Sequence, residues 1–290
     1  MRFSTLSTLL TLSTSVSAYW KGFNLGATIP STGACKTQAD WAKDFSTLAS
    51  LPGGFSSARL YASSDCNTLA NAVPAAIAAN VKILVGVWAE DGTHFGQEKA
   101  ALLNAISQYG HDWILAVSVG SEDLYRADTV DSTLAGQIYD VRGMLTTVIP
   151  TNAMLQVGHV DTWTAWVTNA TQTIQACDFI GTDGYPYFQQ TNINDAYNAF
   201  WDSVGQVRQI VNNVHPGAWV WVTESGWPTS GPSVGAAVPS VANAQQYWSS
   251  VACSAFAAGH TFWYTLQDYT SSPSFGVVDQ NYNPIYNLAC

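Results

Sequence analysis

The chain has 290 residues and a formal net charge of −10, with 12% of its residues aromatic and only 10% charged. A chain this acidic is not expected to bind nucleic acid or anionic lipid through a general electrostatic field. Its 12 Trp, 13 Tyr and 11 Phe residues would suit a neutral, polyhydroxylated ligand whose C–H faces stack on rings, although most of them are expected to lie in the core.

The first 18 residues, MRFSTLSTLLTLSTSVSA, predict a secretory signal peptide with cleavage after Ala18. The apolar stretch in it is rich in Ser and Thr and too short to span a membrane. We find neither a second apolar window nor a C-terminal lipid-anchor signal in 19–290, so we expect a secreted, extracellular monomer without a membrane anchor. Removal of Arg2 with the signal changes the net charge from −10 to −11. Asn169 opens an N-glycosylation sequon that is expected at the surface.

Short, nearly continuous apolar runs predict strands that are buried on both faces, as in a parallel sheet. These runs are residues 20–26, 57–61, 82–88, 113–120, 154–159, 178–183, 218–223 and 260–265. The segments between them predict helices at 38–50, 66–79, 97–109, 131–148, 193–214 and 240–258, with a shorter and less regular one at 161–174. Asp131 and Ser240 are the expected N-caps of the helices that they open.

Eight strands that alternate with helices over about 270 residues predict an α/β fold, a single (β/α)8 TIM barrel spanning 19–290. A doubly wound open sheet is the alternative. Such a sheet is expected to have a Gly-rich phosphate-binding turn after its first strand. The segment GFNLGATIPSTG contains no G-x-G-x-x-G. The barrel is therefore favoured.

Chemistry in a barrel collects at the C-terminal ends of the strands, where Glu122 follows the fourth strand and Glu224 follows the seventh. Two carboxyl groups across one mouth suit the cleavage of a glycosidic bond. One carboxylic acid protonates the leaving oxygen, and one carboxylate faces the oxocarbenium-like centre. A separation of about 5–5.5 Å would allow covalent attack and retention of configuration, whereas about 6.5–9.5 Å would admit a water and give inversion.

Five cysteines in a secreted chain suggest two disulfides and one free thiol. Cys35 and Cys66 follow neighbouring strands, and Cys253 can reach Cys290 from the helix before the last strand, so we predict bridges 35–66 and 253–290. Cys177 is then a buried free thiol. No cysteine pair has metal-ligand spacing and the five histidines are scattered singly, so we expect neither a metal nor a cofactor.

Several motifs together resemble glycoside hydrolase family 17, the β-1,3-glucanases, and in particular its fungal cell-wall members. They lie between Gly22 and Cys290 and read GFNLGA, RLYASSDCNTL, ILVGVW, VGSEDLYR, DVR, GYPYF, VTESGWP and FGVVDQNYNPIYNL. The resemblance implies a (β/α)8 barrel and a retaining mechanism on β-1,3-glucan, with Glu224 as nucleophile and Glu122 as general acid/base. The sugar contacts that it implies are Tyr61, Trp88, Tyr185 and Trp227. Tyr185 is further expected to bond the nucleophile.

Two departures from plant-type members leave the leaving-group side of the site open. Ser121 stands where many of them have Asn before the acid/base, and Asp268 lies in a loop that lacks their Glu and Lys. Ser121, Asp123 and Asp268 are further candidate substrate-binding residues. The covalent intermediate could react with water or with the end of a second glucan, and Trp163 and Tyr125 could stack on such an acceptor.

A second class of function is a glucan-binding wall protein without turnover. It would share the aromatic groove, but it gives no reason for the paired glutamates. The sequence therefore favours a glycosidase that remodels cell-wall β-1,3-glucan by endo-hydrolysis, by glucanosyl transfer or by both.

Overall fold

The computed structural model describes residues 19–290 except Asp91 and Asn169. Parallel strands pair in chain order and close into a barrel of eight, with the last strand hydrogen-bonded to the first. They are β1 (Lys21–Leu25), β2 (Ser57–Leu60), β3 (Lys82–Val87), β4 (Ile114–Ser121), β5 (Val157–Thr162), β6 (Phe179–Asp183), β7 (Trp219–Glu224) and β8 (Thr261–Trp263). The closed barrel confirms the predicted fold class over the open sheet. The predicted signal peptide at 1–18 and glycosylation site at Asn169 lie outside the described residues.

Helices follow the strands on the outside of the barrel. They are α1 (Gln38–Ser50), α2 (Thr68–Ala79), α3 (Gly92–Tyr109), α4 (Asp123–Arg126), α5 (Asp131–Thr146), α6 (Trp163–Thr168), α7 (Thr171–Ala176), α8 (Ala196–Val214), α9 (Val241–Tyr247) and α10 (Cys253–Ala258), with a π-helical turn at Trp248–Ala252. The first of them begins and ends as predicted, because Thr37 and Asp40 form a reciprocal capping box at its N-terminus.

Two apolar layers hold the barrel together. A small buried cluster of strand residues comprises Leu84, Ala116, Phe179, Trp221 and Phe262, with the rings of Phe179 and Trp221 stacked at 4.2 Å. The larger layer lies between strands and helices and includes Phe23, Val85 and Val119. Small barrels are filled by side chains in this way and have no pore. In such barrels the functional groups lie at the C-terminal ends of the strands, called the mouth below.

β5 lies further along the chain than predicted, at Val157–Thr162 in place of 154–159. The apolar residues Met154 and Leu155 belong to the connection before it. Its later part carries the buried polar residues His159 and Asp161, which a search for apolar runs rejects. The C-terminal part of the strand was not predicted because its polar side chains are buried and hydrogen-bond with each other inside the protein.

The predicted N-caps are half correct. Ser240 accepts a hydrogen bond from the backbone N–H of Asn243 and caps α9, as predicted. Asp131 does not cap α5. Its two carboxylate oxygens accept hydrogen bonds of 2.9 and 2.8 Å from the N–H groups of Gln172 and Thr173, so it closes the N-terminus of α7.

Both predicted disulfides are confirmed, Cys35–Cys66 and Cys253–Cys290, and Cys177 is a buried free thiol. The first bridge joins the segments that follow β1 and β2, at the same end of the barrel as the two glutamates. The second ties the C-terminal residue to α10. Within the described part of the chain, every helix is too short or too polar to cross a bilayer.

Candidate active site

Glu224 ends β7 at the mouth of the barrel and is only 7% exposed. Its Oε1 accepts hydrogen bonds from Arg59 Nη1 at 2.5 Å and from the Tyr61 hydroxyl at 2.9 Å. Its Oε2 accepts one from the Tyr185 hydroxyl at 2.7 Å. All three partners are donors, which suits a carboxylate, because that group can only accept. The structure therefore places the predicted Tyr185 contact and adds two more.

Arg59 joins the strands beneath the mouth. It lies on β2, is 1% exposed, and donates to Asn24 Oδ1 on β1 and to Ser121 Oγ on β4, both at 2.9 Å. The ring of Tyr61 packs 4.6 Å from its guanidinium carbon. Burial alone would lower the pKa of Arg59, but the charge of Glu224 raises it above the usual range. A permanent buried cation is thus held against Glu224.

Glu122 is aimed by an unusual turn at the end of β4. Both Gly120 and Glu122 have positive φ angles, +75° and +58°, and a Cβ on Gly120 would lie 2.1 Å from Asp123 Oδ2. Left-handed backbone is unfavourable for a residue such as Glu and persists where the surroundings hold it. Here the Glu122 N–H donates to Val160 O at 2.8 Å. The turn ends the strand and opens α4 with Glu122 at the mouth.

Three carboxyl groups meet at this mouth. Glu122, Asp183 and Glu224 each offer an oxygen that lies within 4.8 Å of the other two. This oxygen-to-oxygen distance is shorter than the separation of about 6.5–9.5 Å that leaves room for an attacking water between two carboxyl groups. The structure therefore brings together the two glutamates that the sequence placed on β4 and β7, and adds an aspartate from β6.

Glu122 sits in a different environment from Glu224. Burial, followed by the charges of Glu224 and Asp161, raises the pKa of Glu122 to about 7. The guanidinium of Arg126 lies 3.6 Å from Oε2 and opposes this shift, but it also pairs with Asp128. Glu122 is therefore a carboxylic acid in weakly acidic solution, as a general acid must be.

Two aromatic clefts each contain a tyrosine that bonds Glu224. One, of about 370 Å³, is lined by Glu122, Tyr125, Thr162, Trp163, Thr164, Asp183, Tyr185, Phe188 and Gln189. The other, of about 150 Å³, is lined by Leu25, Ala27, Trp41, Leu60, Tyr61, Ala62, Asp65, Thr68 and Trp88. Since Tyr61 and Tyr185 bond opposite oxygens of Glu224, the carboxylate lies between the two clefts. Four predicted sugar contacts line these clefts: Tyr61 and Trp88 line the smaller one, and Trp163 and Tyr185 line the larger one.

Three other predicted sugar contacts are buried and line neither cleft, and their role in binding sugar stays a prediction. Trp227 is 1% exposed and its indole N–H donates to Val238 O at 3.0 Å. Asp123 is fully buried. Asp268 accepts hydrogen bonds of 2.6–2.7 Å from residues 274–276 and holds that loop. Motifs do not separate a side chain that lines a site from one that supports the backbone beside it. Ser121 is 5% exposed and its hydroxyl accepts from Arg59.

Sequence reasoning missed Arg59, Asn24, Asp183 and Phe188 as site residues. Arg59 and Asn24 are polar residues that lie directly beside apolar residues of buried strands, and that exception to the pattern was the available signal. Asp183 is the last residue of the predicted strand 178–183. Phe188 is 55% exposed in the large cleft and belongs to the GYPYF motif, which was used only for its first tyrosine.

Among the described residues, two clusters have ligand atoms close enough together to hold a cation, the three-carboxylate group and Asp65, His94 and Glu98. Glu224 already accepts from Arg59 and two tyrosines. Glu98 is buried and accepts from the backbone N–H groups of Ser63, Ser64 and Trp88, at 2.5, 2.7 and 3.1 Å. Both carboxylates therefore serve the protein itself, and Glu98 fixes the backbone that carries Tyr61 and Trp88.

Comparison with known proteins agrees with this geometry. The family model of the BtgE/BtgC glycoside hydrolase domain matches residues 22–282. The chain is 42% identical to a protein of Aspergillus oryzae named "probable glucan endo-1,3-beta-glucosidase", over 98% of this chain and 66% of that protein. It is 36% identical to a glucan 1,3-beta-glucosidase of Saccharomyces cerevisiae, over 89% of this chain and 86% of that protein. The chain thus spans about two thirds of the length of the Aspergillus relative.

The fold also has solved counterparts. A glycoside hydrolase family 17 β-1,3-glucanosyltransferase from Rhizomucor miehei superposes with a TM-score of 0.79 at 24% identity, covering 92% of this chain and 95% of that one. An active-site mutant of that enzyme, in complex with laminaritriose, superposes equally well. At this identity the likeness shows the fold alone. The resemblance to fungal family 17 proteins is confirmed by the family model and the relatives together. The chain belongs to the BtgE/BtgC glycoside hydrolase family.

Proposed function

We propose that this protein is a retaining glycosidase acting on β-1,3-glucan, with Glu224 as nucleophile and Glu122 as general acid/base. In the first step a Glu224 oxygen bonds to the anomeric carbon while the glycosidic oxygen leaves with the proton of Glu122. In the second, a water or a sugar hydroxyl gives its proton to the Glu122 carboxylate and attacks the same carbon, which releases Glu224. Each step inverts the carbon once, so the configuration is retained.

The observation that carries the proposal is the contrast between two glutamates whose oxygens lie within 4.8 Å of one another. Glu224 accepts from a buried cation and two tyrosine hydroxyls. Glu122 has a pKa raised to about 7 and is still partly exposed, with 28% of its side chain open to solvent. Two equivalent groups in environments this different suit an ionised nucleophile and a protonated acid.

The substrate follows from the relatives and from the clefts. Two relatives carry β-1,3-glucan in their names, and both clefts beside Glu224 present tyrosine and tryptophan to a ligand. Rings of this kind stack on the C–H faces of sugars without needing charge. We infer that the cleft with Tyr61 and Trp88 and the cleft with Trp163 and Tyr185 hold sugars on either side of the cleaved bond.

Transfer to a second glucan is favoured over simple hydrolysis by the aromatics of the large cleft. Tyr125 is 61% exposed and Phe188 is 55% exposed, beside the partly buried Trp163. Rings held open to solvent cost free energy unless a ligand covers them, and an acceptor sugar would do so. The glycosyl-enzyme would then partition between water and a bound glucan end.

We further propose that the protein is secreted, acts as a monomer and remodels cell-wall glucan. Two disulfides support an oxidising compartment, since such bonds are rare in the cytosol. The predicted signal peptide supports the same location.

Variants of the two glutamates test the proposal. Glu224→Gln and Glu122→Gln should each abolish product release from a linear β-1,3-glucan while binding of the polymer is retained. Asp140→Asn is the matched control, because this half-exposed carboxylate on α5 pairs with Lys99 outside the mouth. A glucan-binding protein without turnover would release no product in any form, and unchanged activity in both glutamate variants would refute the assigned roles.

A further inference from the structure

Asp183 ends β6 at the mouth and has no part in the two steps described above. It is 1% exposed, yet it lines the large cleft. Its Oδ1 accepts a hydrogen bond of 2.7 Å from the Thr223 hydroxyl. Its Oδ2 has no hydrogen-bond partner among the described residues. A buried polar atom without a partner costs free energy, so a ligand atom that hydrogen-bonds Oδ2 would be favoured at this position.

The geometry of the three carboxyl groups defines where that atom can lie. One oxygen each of Glu122, Asp183 and Glu224 lies within 4.8 Å of the other two. A further oxygen can therefore lie within about 2.8 Å, which is hydrogen-bond distance, of the oxygens of both Glu122 and Asp183. This position adjoins the acid/base, and the anomeric carbon bonded to Glu224 can lie between it and the nucleophile, as in-line attack requires.

Charge decides how Asp183 can take part. The buried guanidinium of Arg59 bonds Glu224 and does not bond Asp183. Burial, and then the charge of Glu224, raises the pKa of Asp183 well above its usual range. The charge of Arg59 and the hydrogen bond from Thr223 oppose this shift, and Oδ2 is left free to carry the proton. Ionised, Asp183 would add a second negative charge beside a nucleophile that must stay charged.

We propose that Asp183 is a neutral carboxylic acid in the working enzyme and that its hydroxyl donates a hydrogen bond to the oxygen that attacks the glycosyl-enzyme. This inference rests on the proposed function. An attacking sugar hydroxyl gives its one hydrogen to Glu122 and one lone pair to the anomeric carbon, so its remaining lone pair can accept from Asp183. Asp183 keeps its own proton throughout.

The same argument separates the two acceptors. A water has two hydrogens, and either a carboxylate or a carboxylic acid could hold the one that Glu122 does not take. A sugar hydroxyl has only one hydrogen, and an ionised Asp183 would repel it. A protonated Asp183 therefore favours transfer to a glucan end over hydrolysis.

Substitutions at Asp183 test this assignment. Asp183→Ala removes the donor and should lower the ratio of transfer to hydrolysis about tenfold, measured from the products of a reduced β-1,3-oligosaccharide. Asp183→Asn keeps a neutral donor of the same shape and should lower the ratio by no more than about threefold. Asp140→Asn, remote on α5, should leave the ratio unchanged. Equal losses in the Ala and Asn variants would overturn the proposal, as would a wild-type protein that makes no transfer product.

Two further readouts report the proton itself. If Asp183 were ionised, Asp183→Asn would remove a negative charge within 5 Å of Glu122 and move the alkaline limb of activity down by more than about one pH unit. An alkaline limb that does not move in Asp183→Asn therefore supports a neutral Asp183, and one that moves down overturns the proposal.

Infrared difference spectra of the intact protein, wild type against Asp183→Asn, need no turnover. At a pH of about 8.5, above the pKa of Glu122, the wild type should show a carboxylic-acid band that the variant lacks. Its absence overturns the proposal even in an active enzyme, whereas an inactive wild type refutes the proposed function.

Discussion

Arg59 Nη1 lies 2.5 Å from Glu224 Oε1, and only 1% and 9% of the two side chains are exposed. Glu122, across the same mouth, has its guanidinium partner Arg126 at 3.6 Å, with 28% and 34% of those side chains exposed. A buried, closely bonded pair is weakened little by solvent and salt, while a looser, exposed pair is screened. The position of one buried arginine thus distinguishes the two glutamates.

Replacing Arg59 with Met should lower kcat by about 10²–10³-fold, because a preorganised cation is removed from the nucleophile. It should also lower the free energy of unfolding by about 3–5 kcal/mol, since Glu224 is left charged and buried without its partner. Steady-state kinetics and denaturant unfolding measure the two effects. Arg208→Met is the matched control, because Arg208 is exposed and packs on the Trp201 ring. Near-normal activity in Arg59→Met would contradict this role.

Activity should fall as the pH rises through about 7, because Glu122 must hold a proton in the first step and its pKa is raised to about 7. Arg126 favours the charged form of Glu122 and so lowers that pKa. Arg126→Gln should therefore move the alkaline limb of kcat/KM to higher pH. A limb that moves to lower pH would show that another group titrates there. Thermal unfolding of the variant checks that the turn at Ser121, whose carbonyl Arg126 also bonds, is intact.

The tyrosines that bond the nucleophile should matter through their hydroxyl groups. Tyr61→Phe and Tyr185→Phe each remove one hydrogen bond to Glu224 and should lower kcat about 10–100-fold, with the rings still in place. Tyr187→Phe is the matched control, since its hydroxyl bonds Pro232 O at 2.5 Å. Single-turnover measurements separate the chemical step from binding. If kcat falls equally in all three variants, the loss is caused by altered packing and not by the missing hydrogen bonds to Glu224.

Exposed rings of the large cleft should govern acceptor use. Tyr125→Ala and Phe188→Ala should raise the acceptor concentration needed for half-maximal transfer about tenfold each, while leaving hydrolysis of the same donor nearly constant. Tyr139→Ala removes a ring that is 54% exposed on α5, outside the cleft, and should change neither reaction. Product analysis against added laminari-oligosaccharide checks this. Parallel losses of hydrolysis and transfer would show that these rings bind the donor instead.

The barrel was accessible from sequence because its strands are buried on both faces and therefore read as apolar runs with helices between them. Glu122 and Glu224 stood out for the same reason, as carboxyl groups at the ends of such runs. β5 was displaced because its polar residues His159 and Asp161 pair with each other inside the protein, at 3.0 Å. The pattern of polar residues along a chain does not show whether a polar side chain has a hydrogen-bond partner inside the protein.

Two further contacts were not evident from local motifs. Arg59 is separated from Glu224 by 165 positions, and nothing local in SARLY predicts their contact. Trp227 follows the nucleophile in ESGWP and was assigned to the sugar, yet its indole N–H is used by Val238 O. Proximity to a catalytic motif in sequence says little about which way a side chain faces, because the turn after the strand sets that direction.

The account is tested most directly by trapping the covalent intermediate. A laminaribiosyl fluoride with fluorine in place of the 2-hydroxyl slows release of the glycosyl-enzyme, and mass spectrometry of the digested protein then locates the attached sugar. The added mass should lie on the peptide that contains Glu224, at that residue, and should be absent in Glu224→Gln. Attachment at Glu122 or Asp183, or products of inverted anomeric configuration, would contradict the mechanism.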